Sequence, residues 1–273
     1  MSLAKTRHAP IAPGIPAWVS TDLAGLRRQL VRCSSAWAGP QAEHWLEEDS
    51  WLTVSRTRLV EYNAAGTWSP EPARLAAVRD ALEATGLPGY VLVAGPALGS
   101  VRQLVEAGWA VSAATRFMAR PLEDELADDP AVTRLGPEEL WRLRALVEET
   151  FRLGARASAL SVPDAAAQEV PTLSGARLGA WALWEDGAVA SGLISATVDD
   201  AVSLWSMATA PDRQGRGLGR RLLTSVLARE RCRGARRSVL IASEAGEHLY
   251  RAVGYVPLDY WQCWTKRRYL PPS

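Results

Sequence analysis

The stretch from Met207 to Gly219, M-A-T-A-P-D-R-Q-G-R-G-L-G, constrains this chain more than any other. Behind it lies an apolar strand-like run with Val202, Leu204 and Trp205. Ahead of it Leu218, Leu222, Leu223, Val226 and Leu227 fall on one face at helical spacing. A turn so placed joins a strand to a helix. Backbone N–H groups at a helix start have no intrahelical partner and sit at the positive end of the macrodipole, so they stabilise an anion without side chains. Gly215, Gly217 and Gly219 let that backbone come close, and Arg213, Arg216, Arg220 and Arg221 add charge-assisted bonds from the flanks. The ligand such a turn suits is a diphosphate.

The spacing excludes two familiar phosphate loops. No Lys-Ser or Lys-Thr pair follows the glycines, as a P-loop needs, and no acidic residue about twenty positions on completes a dinucleotide fingerprint. What remains is Q-x-x-G-x-G, from Gln214 through Gly217 to Gly219. In this the sequence resembles the GNAT superfamily of acyl-CoA-dependent N-acyltransferases, whose coenzyme A signature is [QR]-x-x-G-x-[GA]. A second phrase, L-Y-R-A-V-G-Y from Leu249 to Tyr255, is similar to the family's L-Y-x-x-x-G-[FY] and follows a buried-strand run, Ser238 to Ser243.

The resemblance implies acetyl-CoA as acyl donor, no metal, and direct attack by an amine in a ternary complex. It implies Tyr250 as the acid that returns a proton to the departing thiolate. The coenzyme contacts it implies are Met207, Ala208 and Thr209 on the strand, Gln214, Gly215, Arg216, Gly217, Leu218, Gly219 and Arg220 in the turn and helix start, and Ser243. Pantetheine is expected in a gap between the strand before the turn and the strand after it, with backbone N–H groups near Met207 to Thr209 polarising the thioester oxygen. Ser243 stands where many relatives carry an asparagine. A general base has no motif behind it; Glu149, Glu169 and Asp200 are candidates by placement.

The surrounding pattern is α/β (α+β), a mixed and mainly antiparallel central sheet flanked by helices. Ala131 to Leu135 reads as a strand and Pro137 to Phe151 as an amphipathic helix. A polar connection follows from Gly154 to Glu169. Ala176 to Trp184 and Ala188 to Val198 read as a hairpin closed by Asp186-Gly187, and Glu244 to Val253 as a helix ended by Gly254.

At 273 residues the chain is long for one such module, and two GNAT-like domains are expected: 1–120, a linker at 121–130 and the catalytic domain at 131–273. The first half carries a faint repeat of the second. Tyr90 to Ala94 echoes Val239 to Ala242, Leu104 to Trp109 echoes Tyr250 to Tyr255, and Ala73 to Leu87 is helical in spacing. Tyr62 to Pro70 takes the cradle's place without its motif, and Leu104 stands where Tyr250 stands. The first half therefore reads as a degenerate copy, with one coenzyme expected per chain and the second half expected to bind it alone.

Charge is balanced, 31 Lys and Arg against 30 Asp and Glu, which gives no field that would attract nucleic acid or an anionic membrane. The basic run Arg229 to Arg237 reads as a solvated helix end, with help to the coenzyme's ribose phosphate as the alternative. Cys33, Cys232 and Cys263, like His8, His44 and His248, are scattered without metal or disulfide spacing. No stretch approaches the roughly 18 apolar residues of a membrane span, so a cytoplasmic monomer or homodimer is expected, with an opening to Pro16 that is loosely ordered. Most of the twelve tryptophans read as core or interdomain aromatics, and core packing is the default for each; Trp181, Trp184, Trp205, Trp261 and Trp264 map to strands near the groove, where lining an apolar or cationic acceptor pocket is the alternative. The acceptor class itself, a small molecule or a peptide amine, is open. A non-catalytic acyl-CoA-binding regulator is the alternative reading.

Overall fold

The computed structural model describes residues 22–38, 42–55, 57–152, 162–167 and 175–270. Glu169, His8, the opening to Pro16 and most of the connection from Gly154 to Glu169 lie outside these.

The chain builds each half by the same route. In the first, strands β1 (Glu43–Leu46), β2 (Ser50–Val54) and β3 (Asn63–Thr67) form an antiparallel meander. Helix α2 (Pro72–Ala84) then crosses over to β4 (Tyr90–Ala94), which lies parallel to β3. A short helix, α3 (Arg102–Glu106), leads into the long strand β5 (Trp109–Pro121). In the second, β6 (Val132–Arg134) and α4 (Leu140–Phe151) precede a meander of β7 (Arg177–Glu185), β8 (Ala188–Val198) and β9 (Ala201–Thr209). Helix α5 (Leu218–Cys232) crosses to β10 (Arg237–Ala242), parallel to β9, and α6 (Glu244–Ala252) leads into the long strand β11 (Val256–Lys266). The expected hairpin turn is present: Asp186 and Gly187 both have positive φ, 52° and 75°, as a type I′ turn requires.

All eleven strands belong to one sheet, in the order β1-β2-β3-β4-β11-β5-β10-β9-β8-β7-β6. The long final strands are exchanged. β11 of the second half pairs with β4 of the first, and β5 of the first pairs with β10 of the second. The two exchanged strands pair antiparallel with each other, from Val256 opposite Ala119 to Lys266 opposite Trp109. The sheet runs across the boundary expected at 121–130. Nor is 121–130 a free tether. Leu122 is buried, Asp128 accepts from Ser225 Oγ and Arg229, and Asp129 accepts from Arg221 Nε at 2.8 Å. Arg229, the first residue of the basic run Arg229 to Arg237, is thus paired within its own chain.

One helix escapes the sequence reading: α1 (Leu23–Ser35), N-capped by Asp22, whose Oδ1 accepts from Gly25 N at 3.0 Å. Its apolar residues Leu23, Leu26, Leu30 and Val31 have helical spacing. It lies against β8, β9 and β10 of the second half. Arg27 Nε reaches Asp259 Oδ2 at 3.0 Å in a buried ion pair, and Gln29 Nε2 reaches Asp200 Oδ1 at 3.0 Å.

Helix α5 is anchored by Leu218, Leu222, Leu223, Val226 and Leu227, none more than 2% exposed, against Leu193, Val202, Leu204 and Leu240 of the sheet. At about 1.5–3 kcal/mol for each buried leucine or valine side chain, this face holds the helix N-terminus firmly against the end of β9.

Candidate active site

The functional geometry begins with two strands that part. β9 pairs with β10 only from Ala201 to Ser203, and beyond Ser203 the segment Leu204–Thr209 has no β10 partner. On its other side β9 stays paired with β8, but the register slips between Gly192 and Ile194, leaving one extra residue in β9 around Ser206 and Met207. Ser206 takes φ 50°, a left-handed conformation that costs a non-glycine residue about 1–2 kcal/mol and marks a β-bulge.

The cradle follows. After a 3₁₀ turn at Pro211–Arg213, Gly215 and Gly217 have φ 74° and 78°, and Gly217 is the N-cap of α5 with no side chain capping it. The first helical N–H groups, of Leu218, Gly219 and Arg220, are therefore presented to the adjoining cavity, which is how a helix start binds an anion. Gly219 serves a different end. A Cβ there would sit 3.3 Å from both Met207 Cε and Thr209 Oγ1, so its bare backbone lets the helix seat against β9.

A cavity of about 470 Å³ opens from this turn into the gap between β9 and β10. Met207, Ala208, Thr209, Gln214, Gly215, Gly217, Leu218, Gly219, Arg220, Ser243 and Tyr250 all line it, so the fold gathers the sequence-implied positions around one space. Arg216 is not among its lining residues. Thr150 and Phe151 at the end of α4, with Leu249 on α6, add walls that sequence reasoning missed. Gln214 acts on the loop itself: its Nε2 donates to Thr209 O at 3.2 Å and folds the turn back onto β9. Ser243 caps α6, its Oγ accepting from Gly246 N at 3.2 Å.

Of the arginines flanking the cradle, three converge on one carboxylate. Glu185 lies 3.5 Å from Arg213, 3.2 Å from Arg216 and 3.8 Å from Arg221. Arg220, which lines the cavity, forms no ion pair among the described residues. The net positive field at the turn thus comes from Arg220 and the helix start more than from the other arginines.

Tyr250 is 8% exposed, and its hydroxyl donates to Met207 Sδ at 3.7 Å, a weak bond. Burial pushes its pKa up from 10.0 to about 12, so the phenol holds its proton throughout the physiological range. Its ring meets Tyr255 edge-on, 5.6 Å between centroids, and Tyr255 is fixed by a 2.6 Å hydrogen bond to Ser238 Oγ. The arrangement can therefore hold a diphosphate, a chain in the gap and a proton donor at its inner end.

The proposed bases fare unequally. Asp200 lies at the opposite end of β9, roughly 20 Å from Met207 at strand rise, and is held by Arg237 at 2.9 Å and by Gln29. It is not at this site. Glu149 is exposed on α4 and does not line the cavity.

The matching place in the first half is closed. β3 and β4 stay paired to the end of β3, at Thr67 opposite Val93, so no gap opens. Tyr62 to Pro70 is not a loop in the cradle's manner, because Asn63–Thr67 is β3 itself. Trp68 is buried, Pro72 removes an N–H at the start of α2, and Leu104 is fully buried where Tyr250 stands in the second half.

Strand parting, an open helix start and a buried phenol meet around one cavity. Residues 177–257 match the family described as acetyltransferase (GNAT) domain, so the second half carries a GNAT domain. Acetyl-CoA-dependent N-acetylation is the general activity of that family. Solved structures are similar in fold over most of the chain. A GCN5-related N-acetyltransferase from Kribbella flavida is 19% identical, with TM-score 0.61, 94% of this chain and 97% of that one covered. A tandem GNAT protein from the clavulanic acid biosynthesis pathway is 13% identical, with TM-score 0.52 and 93% and 97% covered. A GCN5-related N-acetyltransferase from Sphaerobacter thermophilus is 14% identical, with TM-score 0.52 and 90% and 92% covered. No curated protein matches by sequence. No helix among the described residues is long and apolar enough to cross a membrane.

Proposed function

We propose that the protein is an N-acyltransferase that takes an acetyl group from acetyl-CoA to a primary amine, with one coenzyme per chain bound by the second half. The first half is then a degenerate copy that has given up coenzyme binding. The observation that carries the reading is the gap between β9 and β10 beyond Ser203, closed at one end by the uncapped start of α5 and lined within by Tyr250.

Acetyl-CoA supplies an activated thioester when bound. The chain's own residues do the rest. The N–H groups of Leu218, Gly219 and Arg220 hold the diphosphate, and Arg220 adds charge. The unpaired edge of β9 from Leu204 to Thr209 offers backbone groups for the pantetheine amides and for the thioester oxygen. Tyr250 keeps a proton in reserve for the leaving sulfur. That last residue favours an enzyme over a regulator that only senses acyl-CoA, since binding alone needs no buried phenol in this place.

Titration calorimetry with coenzyme A, ADP and NAD tests the reading. One coenzyme A site per chain is expected, with ADP and NAD much weaker. Gly217→Val should abolish the site in a folded protein, because φ 78° disfavours a β-branched residue and its side chain would stand in the diphosphate's approach. NAD binding tighter than coenzyme A, or two coenzyme sites per chain, would overturn it.

A further inference from the structure

On the far side of the β9 bulge lies a second cavity of about 250 Å³, walled by Trp37, Trp51, Tyr62 and Trp205, with Glu61 and Ser206 at its lining. We propose that it is the acceptor site and that it selects a compact primary ammonium compound with an apolar body, rather than a sugar amine or a peptide chain end. This rests on the acyltransferase reading and names its substrate class.

Position comes first. Trp205 and Ser206 line this cavity, and Met207, the next residue, lines the coenzyme cavity. Consecutive Cα atoms stand 3.8 Å apart, so the two cavities are lined by adjacent residues of β9 at the bulge. An amine held here faces the part of β9 where the thioester is expected.

Chemistry comes second. Trp37 and Trp205 stand edge to face, 5.9 Å between centroids at 70°, and make an aromatic corner. Such ring faces attract cations. Glu61 is exposed, forms no ion pair among the described residues, and is the carboxylate in this lining. Aromatic faces beside one carboxylate make a receptor for an ammonium group. Size comes third. Drug-sized ligands occupy roughly 300–1,000 Å³, so this cavity suits a smaller body.

The walls come chiefly from the first half. That half then chooses the acceptor while the second half holds the donor.

The test uses the intact protein without acetyl-CoA. Tryptophan fluorescence is titrated with 2-phenylethylamine, its uncharged counterpart 2-phenylethanol, and glucosamine. Saturable binding of 2-phenylethylamine at least ten-fold tighter than of the other two is expected. Glu61→Gln should erase the preference for amine over alcohol while leaving coenzyme A affinity unchanged, and Trp37→Phe should weaken 2-phenylethylamine several-fold. Equal binding of amine and alcohol, an unchanged preference in Glu61→Gln, or tighter glucosamine binding would overturn the proposal. Coenzyme calorimetry separates the two readings. Amine selectivity without coenzyme binding would sink the acyltransferase reading and keep the ammonium site; coenzyme binding without amine selectivity would do the reverse.

Discussion

The hydroxyl of Tyr250 points at the sulfur of Met207, 3.7 Å away, and has no stronger partner. A phenol satisfied by a carbonyl or carboxylate would be held in place and its proton committed. One resting against a thioether gives up almost nothing when a thiolate takes that place. The weak contact therefore preserves a donor whose burial keeps it protonated up to about pH 12.

Tyr250→Phe should keep the ring, its edge contact with Tyr255 and coenzyme affinity, while lowering turnover by about 10²–10⁴-fold, the usual contribution of a general acid. Thiol release from acetyl-CoA and coenzyme calorimetry on the same preparation make the comparison. Wild-type rates across the pH range would remove Tyr250 from the chemistry.

Replacing Arg220 should matter more than replacing Arg216. Arg220 lines the coenzyme cavity without an ion pair among the described residues, whereas Arg216 is held by Glu185 at 3.2 Å outside the lining. Arg220→Gln should weaken coenzyme A by roughly three- to ten-fold at low salt, with less effect at high salt, and Arg216→Gln should change it little. The reverse order would show that Glu185 releases its arginines when the coenzyme binds.

A fragment starting at Ala131 contains the whole GNAT match but lacks β5, which lies between β10 and β11. It should not fold to a cooperative, coenzyme-binding state, because β10 and β11 would each lose an entire antiparallel partner. Adding the separate fragment 1–130 should restore binding. A soluble 131–273 fragment with full coenzyme affinity would show that the exchange is dispensable.

Stability should fall on the alkaline side. Burial raises Tyr250 from 10.0 to about 12, and Cys33 and Cys263 from 9.0 to about 12, while Tyr62, Tyr90 and Tyr255 move up as well. A group whose pKa is higher in the folded chain binds its proton more tightly there, so its contribution is intact below the unfolded value and is lost as pH rises towards the folded one. The melting temperature should therefore begin to drop near pH 9 and fall steeply by pH 12. A flat profile through pH 11 would mean that these groups reach solvent. Tyr250→Phe should flatten part of the fall.

Much of the second half was legible because its signals are local. The glycines of the cradle, the Asp186-Gly187 turn and the helical spacing after Gly217 each act within a few residues, and each element formed where its pattern lay. The exchange of partners was not legible, since the patterns of β5 and β11 are the same whichever neighbour each strand pairs with. Register across a sheet depends on partners more than a hundred residues away. Asp200 was misplaced as a base for a similar reason. Asp200 belongs to the right strand in sequence, but a strand is long, and its acidic end lies far from the bulge. The acceptor cavity escaped because its walls, Trp37, Trp51, Glu61 and Tyr62, come from three segments with no motif. Of the strand tryptophans expected near the groove only Trp205 lines it; Trp181 bonds Ser195, Trp184 bonds Thr133, Trp261 packs against Phe117, and Trp264 bonds Gln262.

The insertion of β11 between β4 and β5 sets an order of events during synthesis. When the first half leaves the ribosome, β4 and β5 have no strand between them, and both present bare hydrogen-bonding edges until β11 is made. Contacts of such long sequence separation form slowly, and exposed edges invite pairing with other chains. Newborn copies are thus most prone to aggregate while half made, and a chaperone that shields strand edges should raise the yield of this protein more than it raises its final stability.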